Sequence, residues 1–380
     1  MELSSNIVDM LGSSRVALMQ ERLNAIRAYV AAAPDRTSWV KHLPILLDGS
    51  DQLSAHEELV DRLLKSGPDW FYVTGKRADG RRFGYASNLF LSKGHPSYAE
   101  MGQFLLFDMH SSLGGWWLSH VWRAADLAEA TCLCLEKWLV LPSAACARAL
   151  FEGVAAFVIE GEQLLSEWST FKRSGEPDLD AITAFRERFH KKLLQAQFGS
   201  RLGERAITNP APFKRTNVMT FLEKFSKRDD CDVMPLYEWL CDAVHPSFGF
   251  QTAYVATQGV HETGATFAAD LARRTDQAST RMPKIEPTVA LACADVFIRS
   301  VDAALAEAPR LRWFLDDFGL TTGIICTTPE FSLGSVLKPE ESGNCLCGSG
   351  LTIGDCRHVW GDHSEPPSCL GTKVGDSAKH

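Results

Sequence analysis

The sequence lacks the short motifs that announce several common chemistries. It has no G-x-x-x-x-G-K-[ST] loop to cradle phosphates, no G-x-S-x-G elbow, no H-E-x-x-H helix and no G-x-G-x-x-G turn after a strand. P-loop nucleotide hydrolysis, α/β-hydrolase chemistry, zincin proteolysis and dinucleotide binding are set aside on that ground. Positive charge is in deficit: 39 Lys and Arg face 47 Asp and Glu, for a net charge of −8. Such a balance argues against a surface that coats nucleic acid, although a local basic groove would be hidden in the total, so nucleic acid is open but not indicated. Residues 1–9 lack a basic stretch ahead of an apolar core, so no secretory signal is expected. The most apolar stretch, 128–159, is interrupted by Glu136, Lys137, Pro142, Arg148 and Glu152, which spoils an uncharged membrane span. There is no internal repeat. The expectation is a cytoplasmic protein that does not engage a membrane.

What is present is an ordinary globular composition. Of 380 residues, 45% are hydrophobic and 23% charged, enough for one large core or two smaller ones. Apolar residues recur mostly at helical spacing. Segments 14–33, 120–139, 144–168, 179–197, 218–225, 236–244 and 287–308 read as helices, with Pro287 in a first turn and Pro309 as a stop; a short helix is expected over 54–65. Residues 70–85 carry a hairpin signal, with aromatic and branched residues on both sides of Asp79-Gly80. Residues 203–214 read as a loop and 259–282 as a polar connector. The fold class expected is mainly α, a helical body with a small N-terminal β-hairpin and a C-terminal zinc knuckle. Its parts are N-terminal helices and hairpin (1–100), helical body (101–326), linker (327–344), and knuckle and tail (345–380).

The knuckle rests on Cys345, Cys347, Cys356 and His358, three thiols and an imidazole within fourteen residues of a glycine-rich tail. Soft sulfur and nitrogen donors that a Gly348-Ser349-Gly350 turn brings together suit one tetrahedral zinc ion. The pattern resembles the SEC-C motif, C-x-C-G-S-G-x5-C-[HC], found at the C-terminus of the bacterial preprotein translocase motor and on many other bacterial proteins. The resemblance implies that Cys345, Cys347 and Cys356 are zinc ligands and that the tail docks a protein. The fourth ligand does not carry over, because Arg357 stands where the family has His or Cys; His358 is favoured, with His363 and Cys369 as alternatives. The lysines and aromatic residue usual after the turn are replaced by 351–355, Leu-Thr-Ile-Gly-Asp, so an acidic or phosphate-bearing partner is not implied. The other cysteines, Cys132, Cys134, Cys146, Cys241 and Cys293 among them, read as single thiols in apolar helical patterns.

In the body, Arg148 and Glu152 fall four residues apart on one helical face, and His245 stands at a helix end fixed by Pro246. With Tyr237 and Leu240 these residues resemble a bacterial helical family of unknown function, in which an R-x-x-x-E helix precedes a Tyr-x-x-Leu…His-Pro-Ser helix end. The trio Arg148, Glu152 and His245 is therefore the candidate pocket, able to hold an anion or move a proton, or else to stitch helices together and do nothing more. The R-x4-6-H signature of HEPN ribonucleases occurs at Arg36/His42 and Arg357/His363, and such a loose pattern arises by chance; His245 has Glu238, Trp239 and Leu240 where it needs an arginine. The expectation is a zinc-binding protein whose tail is a docking module. The alternative is an enzyme or HEPN-like RNA-cleaving effector centred on Arg148, Glu152 and His245.

Overall fold

Apolar stripes at three- and four-residue spacing dictate long helices, and the computed structural model places them. It describes residues 5–33, 42–47, 71–76, 82–87, 98–174, 179–199, 216–228, 233–245, 255–260, 267–271, 286–322 and 351–352. Its helices are α1 (Ser5–Leu11), α2 (Ser13–Ala32), α3 (Tyr98–Glu136), α4 (Val140–Arg173), α5 (Leu179–Phe198), α6 (Val218–Arg228), α7 (Met234–Val244) and α8 (Glu286–Thr322). The described residues are thus mainly helical. Two short antiparallel sheets accompany them: β1 (His42–Leu47) and β2 (Phe71–Lys76) flank β3 (Arg82–Ser87), and β4 (Val255–Val260) pairs with β5 (Phe267–Leu271). The segment expected as a helix at 54–65, the linker 327–344 and the tail from 345, apart from Leu351 and Thr352, lie outside the described residues.

The chain divides into two units. Unit one comprises Met1–Ala33, Ser119–Glu160 and Thr216–Pro309, and unit two Pro34–Leu118, Gly161–Arg215 and Arg310–His380. The core of unit one is aliphatic at its centre, with Leu135, Ala144, Leu150, Val154, Val296 and Val301 all nearly inaccessible. Phe151 closes it, edge-on to Phe225 and tilted against Tyr237 at centroid distances of 5.7 and 6.1 Å. Helix α2 lays Met19, Leu23 and Ile26 onto this core. Its arginines reach the neighbouring helices: Arg15 pairs with Asp295 at 2.7 Å, Arg22 with Asp302, and Arg27 with Glu129 at 2.6 Å. Arg15 and Arg22 are two turns apart on α2, as Asp295 and Asp302 are on α8, so the two helices run parallel in register there.

Unit two has an aromatic core. Trp168 meets Phe318 at 4.5 Å, Phe171 stacks on Phe185 at 4.2 Å, and Phe189 lies against both Phe185 and Phe318. Trp116 and Trp117, beside Gly114 and Gly115, are buried in α3, as the sequence suggests for aromatic residues next to a glycine pair. At Gly161 the path of α4 comes so near α8 that a Cβ would stand 2.6 Å from Leu311 Cδ1. Glycine is required there by space, since its backbone angles are ordinary.

The helix expected over 120–139 begins 22 residues earlier, at Tyr98, and two other boundaries depart from the sequence expectation at prolines. Pro142 lies in the first turn of α4, where its missing N–H costs nothing, so that helix starts at Val140. Pro309 does not stop α8, which continues to Thr322. The lost backbone bond there is outweighed by packing on either side, for Ala308, Leu311, Phe314, Leu315 and Phe318 are all buried. By length and composition alone α4 is apolar enough to cross a membrane; more than half of the apolar stretch is buried within the fold, which is how a core helix passes the same test.

Candidate functional site

Helices α4 and α7 bring the candidate pocket together in unit one. Helix α7 opens with Pro235 in its first turn and turns Tyr237, Leu240 and Ala243 inward, three residues apart. It ends at His245, whose backbone is extended (φ −72°, ψ 145°), as a residue before proline requires, and whose N–H donates to the Cys241 carbonyl at 2.9 Å. Arg148 Nε donates to Glu152 Oε1 at 2.8 Å, within one face of α4. Tyr237 donates its hydroxyl proton to the same oxygen at 2.8 Å. Arg148 Nη1 stands 3.3 Å from His245 Nε2. A guanidinium can only donate, so any hydrogen bond in this contact has Nε2 as its acceptor. The guanidinium carbon also lies 5.6 Å from the centroid of the Tyr237 ring, a cation–π arrangement.

Electrostatics favour cohesion over reactivity here. Burial works to lower the Arg148 pKa, but the bond to Glu152 and its charge more than offset this, so the guanidinium is held more firmly cationic than usual. Burial, followed by the bond to Glu152, raises the Tyr237 pKa and keeps the phenol protonated. Burial likewise pushes the Cys241 thiol up, against the opposing pull of Tyr237 and Arg148. No thiolate or phenolate is prepared as a nucleophile. What the arrangement does is tie α4 to α7 through the Tyr237 bond to Glu152 and the contact of Arg148 with the exposed His245.

No family model, curated protein or solved structure matches this chain.

Cys345, Cys347, Cys356 and His358, with the alternatives His363 and Cys369, lie outside the described residues, as do Arg36 and Arg357. Among the described residues no group of three or more His, Cys, Asp and Glu side chains is placed to hold a metal ion.

Two polar clusters were not signalled by the sequence reading. In unit two, Lys172 Nζ meets Asp317 Oδ1 at 2.7 Å and Trp168 Nε1 donates to Asp317 Oδ2 at 2.6 Å, with Lys172 and Asp317 both fully buried. Trp168 and Lys172 share a face of α4, four residues apart, which was a legible signal; their partner lies 145 positions away from Lys172, which was not. In unit one, His120 stacks on Phe157 at 5.1 Å and places Nε2 3.8 Å from Glu160 Oε2. Burial and the nearby Arg123 charge push this imidazole down to about 4, against the opposing bond to the Gly153 backbone. Near neutrality the contact is therefore a neutral ring beside a carboxylate and not an ion pair. His110 is a core residue of unit two.

Proposed function

We propose that this chain is a cytoplasmic zinc-binding protein whose helical body, with a small N-terminal β-hairpin, carries a SEC-C-like tail as a protein-docking module. The observation that carries the reading is the spacing Cys345-x-Cys347-Gly-Ser-Gly-x5-Cys356, with His358 close behind as fourth ligand. The donor set fits the ion: three thiolates and an imidazole complete a tetrahedron and leave no position open for a water, which suits a structural knuckle and not a catalytic metal. Such a segment is too short to bury a core of its own, so the metal supplies its folding energy. The test is elemental analysis of reduced, metal-replete protein, in which one zinc per chain is expected, lost in Cys345→Ser with the helical signal of the body retained. A partner recovered with the intact chain and absent with Cys345→Ser completes the case. A zinc content near zero in the intact chain overturns it.

A second reading, a ligand-binding or RNA-cleaving site at Arg148, Glu152 and His245, is favoured by one observation: the His245 ring is exposed while it contacts a guanidinium. The closed network of Arg148, Glu152 and Tyr237 supports a stitching role instead. Glu152→Ala separates the two. Stitching predicts a loss of about 1.5–3 kcal/mol, because a charge-assisted bond and a buried phenol both lose their acceptor. A ligand site predicts unchanged stability with loss of RNA or anion binding.

A further inference from the structure

The outer face of α7 carries an indole and two carboxylates that the fold does not use. Pro235, Glu238, Trp239, Asp242 and His245 are all exposed and recur at three- and four-residue spacing, so they form one stripe opposite the buried Tyr237, Leu240 and Ala243. Trp239 is 44% exposed, although an indole is among the side chains that gain most from cover. It has no ring contact, and Glu238 and Asp242 beside it have no hydrogen bond or ion pair, with any described residue. Exposure alone does not leave a carboxylate unpaired in unit one, since Glu129 and Asp302, 45% and 47% exposed, are held by Arg27 and Arg22. At the C-terminal end of the stripe the Arg148 guanidinium reaches His245, but it is already bonded to Glu152 at 2.8 Å. Two acids on a helix would by themselves be an ordinary solvated face. The uncovered ring within their row is what selects a ligand, and Leu133 and Leu139, also exposed in unit one, offer no such ring.

We propose that this stripe is a docking site for an arginine carried on a basic segment of a protein partner. The guanidinium plane stacks on Trp239, the best of the aromatic rings for a cation–π contact, while its edge donates to Asp242, one turn further along α7. Glu238, four residues before Asp242, supplies a second carboxylate on the same face. Arginine suits this arrangement better than lysine. Its flat, weakly hydrated group uses the ring and a carboxylate at once, whereas an ammonium meets either one as a point charge. Charge complementarity extends beyond the stripe, because a chain of net charge −8 draws a basic segment towards it and repels a polyanion. The platform is rigid. Tyr237 and Leu240 fix the other side of α7 in the core, with Tyr237 tilted against Phe151, so Trp239 is presented on a helix that is already anchored.

The test uses the full chain and a fluorescein-labelled hexa-arginine peptide, with binding followed by fluorescence anisotropy. The peptide should bind the intact chain, and Trp239→Ala, which leaves the net charge unchanged, should weaken binding by about 5- to 30-fold. Glu238→Gln combined with Asp242→Asn should also weaken it, and by more than Asp126→Asn combined with Glu223→Gln, which removes two charges from exposed positions on other helices. All five positions are exposed, so native circular dichroism is expected of every variant. A hexa-lysine peptide should bind more weakly than hexa-arginine. No binding to the intact chain, an affinity that Trp239→Ala leaves unchanged, equal losses in the two charge-removing pairs, or equal affinity for hexa-lysine would each overturn the proposal. So would equally tight binding of an uncharged peptide of alternating Leu and Ser, which would make the face simply apolar. Self-association of the intact chain that Trp239→Ala abolishes in sedimentation velocity would also overturn it, by making the occupant a second copy.

Discussion

Acid should weaken unit two through His110. Its ring is buried and stacked 6.2 Å from Phe318. Burial, reinforced by the charge of Arg312 and opposed by a bond to the Leu315 backbone, pushes the imidazole from 6.5 down to about 4. The unfolded chain therefore binds a proton at a pH where the folded chain refuses it. Between about 4 and about 6.5 stability rises with pH; the contribution is fully present above the unfolded value and is lost as pH falls towards the folded one. The difference in proton affinity is worth about 3 kcal/mol for this one side chain. His110→Phe keeps a flat ring in the stack and removes the proton site. Its loss of the Leu315 bond shifts stability by an amount independent of pH, so the slope, and not the absolute value, is the readout. Urea melts at several pH values from 4.5 to 7 should show the wild type losing ground to His110→Phe as the pH drops, by about 2–3 kcal/mol across the range. His120, which is lowered to about 4 by burial and by Arg123, adds a slope of the same sign in both proteins and cancels in the comparison. Equal pH slopes in the two proteins, or a His110 ring that titrates near 6.5 by histidine NMR, would refute the reasoning.

Two further perturbations test the packing. Asp317→Ala should cost about 3–5 kcal/mol, because it strands the fully buried Lys172 and the Trp168 indole N–H, whereas Lys172→Met with Asp317→Leu should recover most of that loss; chemical denaturation of the single and double variants measures both. Gly161→Ala gains up to about 1 kcal/mol in helix propensity but drives a methyl to 2.6 Å from the buried Leu311, an overpacking cost of about 1–3 kcal/mol. The melting temperature should therefore fall, and the same change made in Leu311→Ala should raise it; a fall in both backgrounds would show that Leu311 is not the obstacle.

The helical character of the body was legible because apolar spacing is a local property, and so was the Arg148–Glu152 pair, four residues apart on one helix. The assignment of His245 to a helix end followed from Pro246 alone. The failures have physical causes of another kind. Pro309 looks like a stop to anyone counting backbone donors, and only the buried residues on both sides explain why α8 runs through it. Tyr237 stood in the helical pattern without a role, since its acceptor, Glu152, is 85 positions away in sequence. The same holds for Lys172 and Asp317, 145 positions apart. Spacing along one helix can be read from letters; the partner on another helix cannot.

The register of α2 against α8 has a consequence for the order in which the protein can be made. Arg15 and Arg22 find their carboxylates 280 positions downstream, and the apolar stripe of Met19, Leu23 and Ile26 shares a core with residues of α8. At a synthesis rate of about 5–20 residues per second, α2 waits on the order of tens of seconds after its own synthesis for α8. Throughout that interval its stripe lacks that cover, and α2 is locked in place only when α8 arrives.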